Sequence, residues 1–331
     1  MLNPTGPSPE AESRLTFGVE LEFLLATLPE GGETPHPSDS RKVDAKILAD
    51  EDSINHDIQR KLEEVGILAT VKESEFGNDN EVAANIATNW ILKTDCTVDP
   101  GKQSSNTRKY FEYGMEIISP PYYYDDASRR AVETVVRTLR YNYLVRVNET
   151  TGLHVHVGNG YHGFEWPILR NFMAIAWTYE RQILLLMPEI RLKNVCVALG
   201  TRNAGFNISN LAPPFRSTFG KRTIEFRQHP GTLDSEGILH WVHICVKLVE
   251  KACHVKDEEL FERLRADVER PIGFGDENSV TTVDYLMWLG CPAQAYYYGK
   301  KLISDKVRVE KRTKGAAEKT AMGGGHVVDF I

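Results

Sequence analysis

Cysteine is scarce in this sequence. The five present (Cys96, Cys196, Cys245, Cys253, Cys291) are scattered over 331 residues and never spaced CxxC. That argues against a disulfide framework or a structural zinc site, and for reduced, mostly buried thiols. Long apolar runs are missing too. The most apolar stretch, 168–187, is broken by Arg170, Glu180 and Arg181, so no segment is expected to span a bilayer. There is no excess of positive charge. Thirty-nine basic residues against 46 acidic ones leave a net charge of −7, which rules against a whole-protein field for gripping nucleic acid or an anionic membrane. The patterns GxxxxGK[ST], GxSxG and HExxH do not occur, so P-loop, hydrolase-elbow and zincin readings have no support. GNGYHG at 158–163 is a literal GxGxxG, but the strand before it carries two histidines where a buried parallel strand would be continuously apolar. It reads as a turn into a helix at Pro167.

What remains is a soluble globular composition, 41% hydrophobic and 26% charged, with enough material for a sizeable core. Residues 1–13 are polar and Pro-rich, without an apolar leader, and read as a flexible arm on a cytoplasmic protein. Residues 14–304 read as one catalytic domain, and the Lys- and Gly-rich stretch 305–331 as a tail. The segment 26–42 is a surface loop. Helices are expected from Ser53, as cap, to about Val65; from Asp125 or Asp126 to about Tyr143, with Ala131, Val135, Val136 and Leu139 inward; from Pro167 to about Met187; and after Asp234. Trp177 and Tyr179 on the third of these read as core, and Tyr122–Tyr124 as packing.

Between the helices lie segments of period two. In FGVELEF (17–23), Phe17, Val19, Leu21 and Phe23 fall on one face and Glu20 and Glu22 on the other. GLHVHVG (152–158) sets Leu153, Val155 and Val157 against His154 and His156. TIEFRQH (223–229) sets Ile224 and Phe226 against Glu225, Arg227 and, by continued alternation, His229. YFEYGMEIISPP (110–121) sets Phe111, Tyr113, Met115 and Ile117 against Glu112, Gly114 and Glu116. Solvated strands mix Lys, Thr, Ser and Glu, whereas these polar faces offer almost only Glu, His and Arg. Several carboxylates with one or two imidazoles suit Mg²⁺ or Mn²⁺. Converging carboxylates repel and raise one another's pKa, which two divalent ions would relieve. Arg227 cannot ligate a metal, but its planar fork suits a metal-bound phosphate, which points to phosphoryl chemistry.

In this order, FGVELEF, NWILKTDCTV, YGMEIISPPY, TGLHVHVG, FNISNL and TIEFRQHPGTLD resemble the amidoligase family of carboxylate–amine ligases, related to glutamine synthetase and glutamate–cysteine ligase. The resemblance implies an α+β fold: a curved, mainly antiparallel sheet with the active site on its concave face and helices packed on the other. It implies ligation of two Mg²⁺ (or Mn²⁺) by Glu20, Glu22, Glu116, His154 and Glu225, with His156 and Arg227 on ATP phosphates. The reaction implied is ATP-dependent joining of a small-molecule carboxylate to an amine through an acyl phosphate. Arg227, Glu116 and Asp95 are the expected catalytic residues; a carboxylate must take the amine's proton, for which Asp95 and Glu112 are candidates. The chain departs from the family pattern at Asp95, followed here by Cys96-Thr97, and at His229-Pro230.

Two rival readings use the same residues. A metal-dependent hydrolase or oxygenase built on His154, His156 and Glu225 leaves Glu20, Glu22 and Arg227 unexplained. A non-catalytic nucleotide binder leaves unexplained why every metal-type position is filled. Arg202, Arg216, Lys221 and Arg222 form a basic stretch, either solvated or facing a substrate anion, and Asn207 and Asn210 either form turns or bind substrate.

Overall fold

The structure is a computed structural model that describes residues 15–29, 31–34, 37–41, 48, 50–72, 87–101, 110–160, 162–187, 205–211, 222–271 and 278–304. The expected arm 1–13 and tail 305–331, Cys196, and the basic residues Arg202, Arg216 and Lys221 lie outside the described residues, as does the side chain of Asn210.

The spine of the fold is β1 (Thr16–Thr27). On one edge it pairs antiparallel with β4 (Phe111–Ile118) and, past Ser119-Pro120-Pro121, with β5 (Tyr122–Tyr123). On the other edge it pairs antiparallel with β7 (Gly152–Gly158) and β6 (Leu144–Arg146). The sheet extends outward from β4 through β3 (Trp90–Thr94) to β2 (Ala69–Val71), and from β7 through β9 (Thr223–Pro230) to β8 (Phe206–Asn207). Among the described residues only β2–β3 is parallel, so the sheet is mostly antiparallel as expected.

The alternation in the sequence dictates which face is covered. Phe17, Val19, Leu21 and Phe23 join Leu153, Val155, Val157, Ile224 and Phe226 in one apolar layer, which helices bury. Helix α1 (Glu51–Glu63) covers β2 and β3, and α2 (Asp126–Asn142) lies beside it. Helix α5 (Ser235–His254) crosses β1 and β7, turning Ile238, Trp241, Cys245 and Val249 inward. Outside it pack α3 (Trp166–Thr178), α4 (Glu180–Leu184), α6 (Asp257–Val268), α7 (Thr282–Trp288) and α8 (292–304). Among the described residues no helix is long and apolar enough to cross a membrane.

Three helix expectations change. The cap of α1 is Asp50, whose carboxylate accepts from the Ser53 amide at 2.8 Å, so the helix starts two residues before Ser53. In α2, capped by Asp125, the inward residue is Val132 in place of Ala131. The helix expected over 167–187 breaks at Tyr179 into α3 and α4, and Trp177 is 67% exposed rather than core. Tyr179 itself is buried, its hydroxyl donating to Asp267 Oδ2 at 2.5 Å across to α6.

Asp267 also accepts from Arg263 Nε at 2.5 Å and Arg270 Nη1 at 3.3 Å. Burial alone would raise its pKa, but the hydrogen bonds from Tyr179 and Arg263 hold it below the usual 3.8. Its stabilising contribution is therefore complete above the unfolded-state value and lost as pH falls through the lower folded-state value. Asp267→Asn should cost about 3 kcal/mol near neutral pH, the range for breaking a buried ion pair. Urea unfolding of both proteins from pH 7 down to pH 2.5 checks this: the gap between them should close at the acid end.

Candidate active site

Cross-strand register assembles the polar face, because residues directly opposite in an antiparallel pair share a side. Lys93 on β3 faces Glu116 on β4, which faces Glu22 on β1. Glu20 faces His154 on β7. Gly18 faces His156, His156 faces Glu225 on β9, and Glu225 faces Asn207 on β8. Four strands, β1, β4, β7 and β9, thus carry all five residues expected to ligate metal, together with His156 and Arg227.

Glu20 is the hub. Its Oε2 lies 3.2 Å from His154 Nδ1 and its Oε1 3.0 Å from His156 Nε2. His156 Nδ1 meets Thr223 Oγ1 at 3.1 Å. Glu22 Oε2 accepts the Gly152 amide at 2.6 Å, and its Oε1 is 3.6 Å from His154 Nε2. Gly152 is required here, since a Cβ would come within 2.7 Å of His154 Nε2. Glu225 is paired with Arg227 Nη1 and accepts from Asn207 Nδ2 at 2.8 Å. The Asn207 carbonyl accepts from Ser209 N at 2.9 Å and Oγ at 2.6 Å, which turns its amide NH₂ toward the carboxylate.

The electrostatics record the crowding. Burial and the neighbouring Glu20 push Glu116 up to about 7 even though Lys93 Nζ forms an ion pair with it. Burial would lower the Lys93 pKa, but the hydrogen bond to Glu116 together with the negative charges of Glu116, Glu20 and Asp95 raises it above its ordinary value. Burial would likewise raise Glu225, yet His156 and Arg227 hold it below its ordinary value.

One ligand atom each from Glu20, His154 and Glu225, all buried, lie within 4.8 Å of one another. Two carboxylates and an imidazole form an oxygen-rich donor set that fits Mg²⁺ or Mn²⁺. The candidate proton acceptors Asp95 and Glu112 each have partners outside the converging trio. Asp95 Oδ1 accepts from Thr97 N and Oγ1 at 2.8 and 2.7 Å, closing a tight turn. Glu112 is held in a fork by Arg146, with contacts of 2.5 and 2.7 Å.

The alternation in TIEFRQH does not run through to its end. Val155 pairs with Phe226 but Leu153 pairs with His229, so a bulge places both Arg227 and Gln228 opposite His154. His229 is thereby turned onto the apolar face, its ring 5.6 Å from that of Trp241 and its Nδ1 on the Pro230 carbonyl. Gln228 takes the polar face in its stead, lying across Gly205, where a Cβ would meet its Cγ at 2.8 Å. It is 3% exposed, and its Oε1 has no hydrogen-bond partner. Sequence reading missed Gln228 and Lys93. Lys93 alternates in register with Ile91 and Asp95, which was the available signal; nothing marked Gln228. Within GNGYHG, Gly160 and Gly163 have φ 56° and 70°, and α3 begins shortly after at Trp166. Among the described cysteines Cys96, Cys245, Cys253 and Cys291 are free thiols. Tyr122 and Tyr124 pack on Phe17.

The class defined so far is an α+β protein whose open sheet carries a buried, acidic, histidine-bearing site on the face opposite its core. The chain belongs to the family described as "Putative amidoligase enzyme", which matches residues 13–193, just over half its length, and a ligase role goes with that membership. The match takes in β1, β3, β4 and β7 and stops short of Asn207, Glu225 and Arg227. Among solved structures the chain is similar to one described as "Crystal structure of novel glutamine synthase homolog". The identity is 15% and the TM-score 0.34, over 95% of this chain and 69% of that one, a likeness too distant to transfer any residue's role. No curated protein matches.

Proposed function

We propose that the protein is an ATP-dependent carboxylate–amine ligase acting on small-molecule substrates through an acyl phosphate. The observation that carries this is the buried convergence of Glu20, His154 and Glu225 with Arg227 on the same strand face. Glu20, His154 and Glu225 would hold Mg²⁺ or Mn²⁺, which supplies positive charge to ATP phosphates and relieves the repulsion among the glutamates. His156, braced by Thr223, presents its other nitrogen toward the same centre and is assigned to the phosphates. Arg227, with its side chain 29% exposed, is placed to reach a transferred phosphoryl group. Asn207 fixes the Glu225 carboxylate, so that its direction is set before any ligand arrives.

The chemistry has two steps. A carboxylate oxygen attacks the γ-phosphorus and ADP leaves; the amine then attacks the acyl carbon, phosphate leaves, and the amine gives up a proton. Amide formation from carboxylate and ammonium is uphill in water, so the phosphoryl step is what makes the bond accessible. The chain supplies position and preorganised charge, and the depth of the cluster keeps water from the acyl phosphate. The converging donors include Glu20 and omit His156, which favours this reading over a zinc or iron site built on His154, His156 and Glu225. The test is a screen of acid and amine pairs for ADP and phosphate released in equal amounts, dependent on both substrates. Hydroxylamine in place of the amine should yield a hydroxamate. AMP and pyrophosphate as products would mean adenylation and end the proposal.

A further inference from the structure

We infer that Lys93 is a built-in cation occupying the place of a second metal ion, so that the free protein holds one divalent ion and not two. The inference rests on the metal-holding role proposed for Glu20, His154 and Glu225. It starts from the row Lys93, Glu116, Glu22, set by register across β3, β4 and β1. Glu22 and Glu116 are the two carboxylates beyond the converging trio, and a second ion would need both. Each already has a cross-strand partner of its own. Lys93 Nζ is ion-paired with Glu116 Oε2; Glu116 is 4% exposed, and the Lys93 side chain, a third exposed, reaches it from the solvent side. Glu22 Oε2 is taken by the Gly152 amide at 2.6 Å, which leaves Oε1 facing His154 Nε2. Among the described residues, the donor atoms that converge are those of Glu20, His154 and Glu225 alone.

An ammonium has three donors and no lone pair, so Lys93 cannot join a coordination shell; it can only compete with one. Mg²⁺ requires near-octahedral oxygen ligands at about 2.0–2.1 Å, and a dication so close to an ammonium would meet direct repulsion. Lys93 reaches this row because β3 runs antiparallel beside β4 and sets it directly opposite Glu116.

Equilibrium dialysis of the full chain against Mn²⁺ alone tests this, on wild type, Lys93→Met, Lys93→Gln, Glu116→Gln and Glu20→Gln. Thermal unfolding identifies which variants are folded. Wild type should saturate at one ion per chain, and either folded Lys93 variant should take a second. Glu116→Gln should keep the one ion, because its carboxylate is not a ligand, and Glu20→Gln should lose it. Two ions in wild type, loss of the ion in Glu116→Gln, or a folded Lys93 variant still holding one would each overturn the inference. No binding by any protein would instead overturn the metal role under Proposed function, and this assignment with it.

Discussion

Glu20→Gln should abolish ligation, with a fall in turnover of at least about 10²–10³-fold, and should weaken Mn²⁺ binding in parallel. Glu20 contacts both His154 and His156 and supplies one of three converging donors, so no neighbouring group replaces it. A glutamine keeps the shape and one acceptor but loses the charge and puts an NH₂ where a ligand atom must be. The fold should tolerate it, because one carboxylate fewer eases the repulsion that, on top of burial, pushes Glu116 up to about 7. Unfolding temperature should hold or rise. Activity and Mn²⁺ affinity measured on the same preparation decide the matter, and a variant with wild-type values for both would remove Glu20 from the site.

The second large effect concerns Arg227. Its guanidinium is anchored through Nη1 to Glu225 on the same strand face, at about 3.3 Å rise per residue, so it can reach a phosphate held beside that carboxylate. In the proposed reaction a planar fork there would meet charge spread over the equatorial oxygens of a phosphoryl group in flight, an interaction strongest in the transition state. Arg227→Lys keeps the charge and loses the fork. Mg·ATP should bind it nearly normally, while turnover falls about 10²-fold and hydroxamate trapping falls with it. Nucleotide binding by calorimetry beside single-turnover kinetics separates the two parameters. Unchanged turnover would take the arginine out of the phosphoryl path.

The legible parts of this site share one property: they depend on local alternation and nothing else. Glu20, Glu22, His154 and His156 could be set on one face from FGVELEF and GLHVHVG because both runs keep period two with bulky apolar residues between the polar ones. Their apposition follows from register, which neighbouring residues do not specify. His229 was misplaced for that reason: a bulge has no compositional mark, and the extra residue shows only when the pairings Val155 with Phe226 and Leu153 with His229 are known. The break at Tyr179 was hidden similarly, since the run holds no Gly or Pro at that point and its partner Asp267 lies 88 residues on. Lys93 sat unnoticed among apolar neighbours, where a lysine on a strand ordinarily reads as solvated. Asn207 looked like a turn former, and it does cap its own turn through Ser209; its second job on Glu225 is a contact across strands.

The bulge in β9 also bears on how such a site can change. In a regular strand each substitution on the ligand side has core residues immediately before and after it, so altering two adjacent positions disturbs packing. Here Arg227 and Gln228 are consecutive, and both lie on the polar face between Phe226 and His229, which stay with the core. The two are not equally free to change: the Arg227 side chain is 29% exposed, whereas Gln228 is 3% exposed and lies against Gly205. Residue 227 can vary at smaller cost to packing, while a longer or charged group at 228 would have to displace its neighbours or bury an unpaired charge. Saturation mutagenesis at each position would show this as activity lost with little change in unfolding temperature at 227, and as unfolding temperature falling with added size or charge at 228.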